Sequence, residues 1–142
     1  MSTSTLRERI LTSIAALLNP IPDCVVYRSR EAALARAEGP AILIRPEEEQ
    51  VQSTAQFVVW RHFRVGISVI ARDDIPDQTA DPIILAIQTA MLADQTLGGL
   101  CARIFEEETK WDFEVADQNV VAAMVSYRLV YATPVGSLTQ QA

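Results

Sequence analysis

A chain of 142 residues, 49% of them hydrophobic and with average glycine and proline, is one ordinary globular domain that buries a core without a metal or disulfide. Its formal charge of −6 argues against duplex binding, which requires clustered Lys and Arg to displace counterions. Met1 to Thr5 lack the basic start and apolar centre of a signal peptide, and no apolar run approaches the ~20 residues of a membrane span, so a soluble intracellular protein is expected, with Cys24 and Cys101 as free buried thiols.

The first helix is predicted over Leu6 to Leu18, with Thr5 and Glu8 as a reciprocal capping box. Leu6, Ile10, Leu11, Ile14, Leu17 and Leu18 line one of its faces at helical spacing, and Asn19-Pro20-Ile21-Pro22 stops it. A short strand is expected at Cys24 to Tyr27, a surface helix at Ser29 to Glu38, and a second short strand, covered on both faces, at Ala41 to Arg45. Pro46-Glu47-Glu48-Glu49 then opens a polar loop. From Ala55 to Arg72 apolar residues alternate with polar ones: Phe57, Val59, Phe63, Val65, Ile67 and Val69 share one parity, and His62, Arg64, Ser68 and Arg72 the other. That is a long half-buried strand, with Gly66 marking a bulge or bend.

After a loop from Asp73 to Ala80, Thr79 to Ile104 is the best-punctuated stretch of the chain. Asp81-Pro82 reads as an N-cap followed by proline at the first helical position. Ile84, Leu85, Gln88, Met91 and Leu92 form the expected inner face, the helix closes at Asp94, and Gly98-Gly99 breaks it before a strand-like run from Leu100 to Phe105. Glu106-Glu107-Glu108 reads as a solvated turn, Trp111 to Val115 as a hairpin arm, and Val120 to Thr133 as the last strand. The expected fold class is α/β in the α+β sense. It is a single-domain sandwich over residues 1–142, a mostly antiparallel sheet with two main helices on one face and a mobile tail at 134–142. The other sheet face is partly apolar through Trp60, Ile70, Val120 and Val130, which makes it a candidate contact surface.

His62 is the only histidine and lies beside Trp60 and Arg64 on one parity of a strand, which suits a surface or interface residue better than a catalytic base. Asp73, Asp74, Asp77 and Asp81 offer oxygen ligands but lack the spacing, turn glycine and closing glutamate of a calcium loop. Leu97-Gly98-Gly99-Leu100 follows a helix, whereas a phosphate-binding loop precedes one. No catalytic, cofactor-binding or metal site is expected. The residues assigned to partner contacts are Glu47, Glu48, Glu49, Trp60, His62, Asp73, Asp74, Asp77 and Trp111.

The order of elements resembles a family. The resemblance rests on Leu6-Arg-Glu-Arg-Ile-Leu11, Pro40-Ala-Ile-Leu-Ile44, Asp81-Pro82, Leu92-Ala-Asp94-Gln-Thr96-Leu97-Gly98-Gly99-Leu100, Trp111 with Glu114-Val-Ala-Asp117, and Tyr127-Arg-Leu-Val-Tyr131-Ala-Thr133. It covers nearly the whole chain and is most specific from Asp94 to Leu100, taken with the later Glu114 to Asp117 and Tyr127 to Tyr131. The chain is similar to the lambda-like tail-terminator, or tail-completion, proteins of long-tailed bacteriophages. This implies a structural, non-enzymatic protein of the virion tail, assembled in the host cytoplasm without a cofactor. It also implies a homo-oligomeric, hexameric ring that ends tail-tube polymerisation, meets the major tail tube protein and the head-tail connector, and lets DNA pass through its lumen without specific binding. An acidic chain suits such a lumen. The alternatives are a neck or tube protein of related fold and a small-molecule-binding α/β domain.

Overall fold

In the computed structural model, which describes residues 4–29, 39–53, 57–115 and 119–142, the chain runs through helix α1 (Leu6–Leu18), strands β1 (Val25–Arg28), β2 (Ala41–Ser53) and β3 (Val58–Arg72), helix α2 (Pro76–Ala93), and strands β4 (Arg103–Val115) and β5 (Asn119–Pro134). The strands make one sheet in the order β1-β2-β3-β5-β4. β1 is parallel to β2 and the other pairs are antiparallel, giving a single mixed-sheet α+β domain as expected.

Strand periodicity fixes the core. Phe63, Val65, Ile67, Val69 and Ala71 of β3 are buried on one side, with Val121, Val125, Tyr127, Leu129 and Tyr131 of β5 and Ile42 and Ile44 of β2. Leu6, Ile10, Leu11, Ile14 and Leu18 of α1 and Ala80, Ile83, Ile87 and Met91 of α2 complete that cluster, so both helices cover the same face. The opposite parity, from Trp60 through His62, Arg64, Ser68 and Ile70 to Arg72, is half-buried and carries no helix among the described residues.

Several expectations need correction. The sequence from Pro46 onward is no loop. β2 continues through it to Ser53, absorbing an extra residue in a bulge between Pro46 and Glu48. Gly66 of β3 pairs with Arg45, just before that bulge, which lies on the partner strand. Glu106-Glu107-Glu108 is likewise inside a strand, at a register shift in β4. The helix expected from Asp81 begins at Pro76, with Ile75 as an N-cap that offers no side-chain bond, and Pro82 lies in its interior. Pro76 presets the first helical φ, and burial of Pro76 and Ala80 outweighs the one backbone bond that Pro82 forfeits. The inner face is rotated accordingly: Ile83, Ile87 and Met91 are buried, Ile84 and Leu92 only partly, and Leu85 is 62% exposed. Leu17 and Phe57 are also exposed, Phe57 lying before β3 with φ 75°. The capping box is one-sided: Thr5 Oγ1 accepts from the Glu8 amide, but the Glu8 carboxylate turns to Arg28 and Thr12. Ser29, just past β1, takes a positive φ of 52° and donates its amide to Ile44 O, so no helix starts there, and the rest of the expected surface helix, 30–38, lies outside the described residues.

The strand-like run expected at Leu100 is a turn up to Ala102. Asp94 organises it. Its carboxylate accepts from the Thr96 amide at 3.0 Å, the Thr96 hydroxyl at 2.7 Å and the Gly98 amide at 2.9 Å, while Leu97, Gly98 and Gly99 all take positive φ. The segment after Pro134, expected to be a mobile tail, is tied to the body. Leu138 O accepts from the Leu6 amide, the Ala142 amide donates to Ala132 O, and Gln141 Nε2 donates to Gly99 O.

Candidate functional site

The two acidic runs flank the central β3–β5 pair, and each register shift sends neighbouring carboxylates to opposite faces of the sheet. On the helix-bearing face, Glu49 Oε2 accepts from Arg7 Nη1 of α1 at 3.1 Å and from Arg61 Nη1 of β3 at 3.3 Å. Tyr131 of β5 donates its hydroxyl to Glu49 Oε1. Burial first, and the bond to Glu49 second, push that hydroxyl's pKa far up, so it stays a donor. Arg61 is held from its other side by Thr133 Oγ1 at 3.0 Å. The Glu49 side chain is only 9% exposed, and beside it a hollow of about 410 Å³ opens between α1 and β2, lined by Arg7, Leu11, Pro46 and Phe63. On the same face Glu106 accepts, among the described residues, only the Gln88 amide of α2, at 3.1 and 3.3 Å.

On the open face the two bulges converge on Arg64. Its Nε lies 3.6 Å from Glu47 Oε1, and its Nη2 donates to Glu108 Oε1 and, at 3.3 Å, to Ser126 Oγ. Ser126 in turn donates to Glu47 at 3.1 Å, and Lys110 Nζ stands 3.5 Å from Glu108. Burial raises the Glu108 pKa, but the Arg64 hydrogen bond and the charges of Lys110 and Arg64 outweigh it and hold the carboxyl low. Gly66 leaves room for this meeting: a Cβ there would lie 2.7 Å from Glu47 Oε1. Next to it Arg103 and Arg128 stack on the Phe105 ring, at 4.7 and 4.6 Å from its centre.

The remaining sequence-assigned contact residues scatter. Glu48 is exposed on the open side, across from Arg64. Trp60 and His62 are half-buried on the open face, paired with Ala132 and Val130. Trp60 borders a hollow of about 230 Å³ under the carboxyl-terminal residues, and His62 Nδ1 is buried without a hydrogen bond among the described residues. Asp73 accepts from the Thr79 hydroxyl and the Asp74 amide, both at 2.8 Å, and these bonds, Thr79's first, hold its carboxyl low. It therefore steadies the start of α2. Asp74 and Asp77 are exposed beside it, and no group of three or more His, Cys, Asp or Glu among the described residues is arranged to hold a metal ion. Trp111 is 45% exposed near the far end of β4, on the helix-bearing parity and away from both clusters.

Sequence reasoning missed the partners of the glutamates in both clusters, Arg7, Arg61, Arg64 and Ser126, because they lie 12 to 79 residues from the carboxylates they meet. The one legible signal was Arg64 on the outward parity of a long strand. Chemically the clusters bind carboxylate to guanidinium across strands, as ties between elements. No protein-family model matches the chain, and no curated protein matches its sequence.

Proposed function

We propose that this chain is a structural ring subunit of a long-tailed phage, a tail terminator that ends tube polymerisation and presents the head-joining surface. The observation that carries this reading is the inequality of the sheet's two sides and two edges. One face is sealed by helices and the other is open and half-buried, and one edge is a four-residue strand while the other is a thirteen-residue acidic one. A protomer with unlike flanks is suited to a heterologous, head-to-tail contact that closes into a ring. The residues that carry the family resemblance have structural roles in this chain. Asp94 to Gly99 build the turn between α2 and β4, and Tyr127 and Tyr131 fill the core.

The exposed carboxylates, Glu48 and Asp74 among them, repel wherever closure brings them together, so raised ionic strength favours the ring through screening. Electron microscopy of the protein mixed with isolated tail tubes tests the reading. Rings seated on tube ends are the expected result, with light scattering showing assembly that grows with concentration and salt and with no shift of duplex DNA at physiological salt. Binding to an isolated neck component instead of tube ends makes it a neck protein. A monomer under every condition that ignores tubes and binds a metabolite overturns the ring altogether.

A further inference from the structure

β4 closes one side of the sheet, and among the described residues no strand pairs with its outer edge. Its two halves differ. The first half is disrupted by the shift between Glu106 and Glu108 and anchored to α2 by the Gln88–Glu106 bond. The second half, Thr109 to Val115, pairs with β5 in unbroken register from Val125 to Asn119 and contains neither proline nor bulge. Protein edges are normally blunted by such devices, and an edge without them offers a row of backbone donors and acceptors to another strand.

The side chains on that half are sorted by face. Trp111 and Phe113 project on the helix-bearing parity, 45% and 56% exposed, although their cross-strand partners Ala123 and Val121 are fully buried. Leu85, one turn above Gln88 on α2, is exposed on the same side of the sheet. On the other parity stand Lys110, Asp112 and Glu114. Lys110 is engaged by Glu108, and no ion pair to Asp112 or Glu114 occurs among the described residues, so two carboxylates face solvent uncompensated.

We propose that the outer edge of β4 from Thr109 to Val115 takes an extended segment of a partner protein as a sixth strand, with apolar side chains at alternate positions and Lys or Arg between them. Main-chain bonds supply the attachment, the apolar side chains cover Trp111 and Phe113, and the cations face Asp112 and Glu114. The stretch of this chain nearest to that pattern, Arg61 to Val65, is the middle of β3 and is paired on both sides, so a second copy cannot offer it without unfolding. The proposal goes beyond the ring reading and stands whether or not rings form.

The probe is a capped heptapeptide, Val-Lys-Val-Lys-Val-Lys-Val, added to the full chain. Amide hydrogen exchange at Thr109 to Val115 slows, and Trp111 emission shifts to the blue. The same peptide N-methylated at every residue keeps its charge but loses both effects. The surface variant Asp112→Lys/Glu114→Lys, shown by its melt to be folded, binds about tenfold more weakly, since like charges across a strand pair are repulsive. Equal binding of the N-methylated peptide, protection that falls elsewhere, no binding at all, or dimerisation of the chain itself through β4 overturns the proposal.

Discussion

Glu47-Glu48-Glu49 in β2 and Glu106-Glu107-Glu108 in β4 are the same three residues at the same kind of register shift, and each run splits its carboxylates between the two faces of the sheet. Their surroundings differ. β2 lies inside the sheet, beside β3 and against α1, so Glu49 meets two guanidinium groups and a tyrosine hydroxyl and is nearly sealed. β4 is an edge, so Glu106 finds one neutral amide and Glu108 remains 40% exposed. Identical local sequence thus becomes a nearly sealed tie on one strand and a tie left partly in solvent on the other. What separates them is the number of neighbours a strand has.

The covered-against-edge contrast also runs along α2, where it predicts the largest effect. Ile87→Ala, at a site with no exposure, costs ~2–5 kcal/mol, whereas Leu85→Ala, at an exposed position of the same helix, changes stability by less than ~1 kcal/mol. Denaturant melts of the pair measure this, and equal losses mean that the helix face is misassigned.

Next comes the contrast between the runs themselves. Glu49→Ala strands Arg61, which is 14% exposed, and costs ~2–4 kcal/mol, while Glu106→Ala costs less than ~1 kcal/mol. A double-mutant cycle of Glu49→Ala with Tyr131→Phe sharpens the comparison, because the shared network makes the two losses non-additive.

Smaller still is Gly66→Ala. The new methyl displaces Glu47 from Ser126 and Arg64 and costs ~1–2 kcal/mol, most of which disappears when Glu47→Ala is added. A Gly66→Ala penalty that persists in the double variant places the clash elsewhere.

The smallest effect is a pH dependence. Glu108 has a folded-state pKa below its unfolded value, so its contribution is complete above about pH 4.3 and disappears as pH falls through the lower folded value. Glu8, held low first by its bond to Arg28, behaves likewise. In thermal melts between pH 5 and 3, Glu108→Gln loses less stability on acidification than the parent. An identical acid slope removes Arg64 as a partner of Glu108.

The sequence by itself determined the elements whose periodicity is long and unambiguous: α1 to the residue, the central strands β3 and β5 with their buried parity, and the α+β class with both helices on one face. Those follow from local rules, the 3.6 and 2.0 periods and the proline stop, which need no knowledge of neighbours. Only the tertiary structure decided that both glutamate runs are strands, since a charged tripeptide reads as solvent-facing until distant arginines neutralise it. It also decided where α2 begins: Pro76 and Asp81-Pro82 are both legitimate helix starts, and burial of Ala80 chooses between them. The exposure of Trp111 and Phe113 was equally illegible, because whether a strand's apolar comb is covered depends on its place in the sheet order, and that order is set by pairings between residues far apart in the chain.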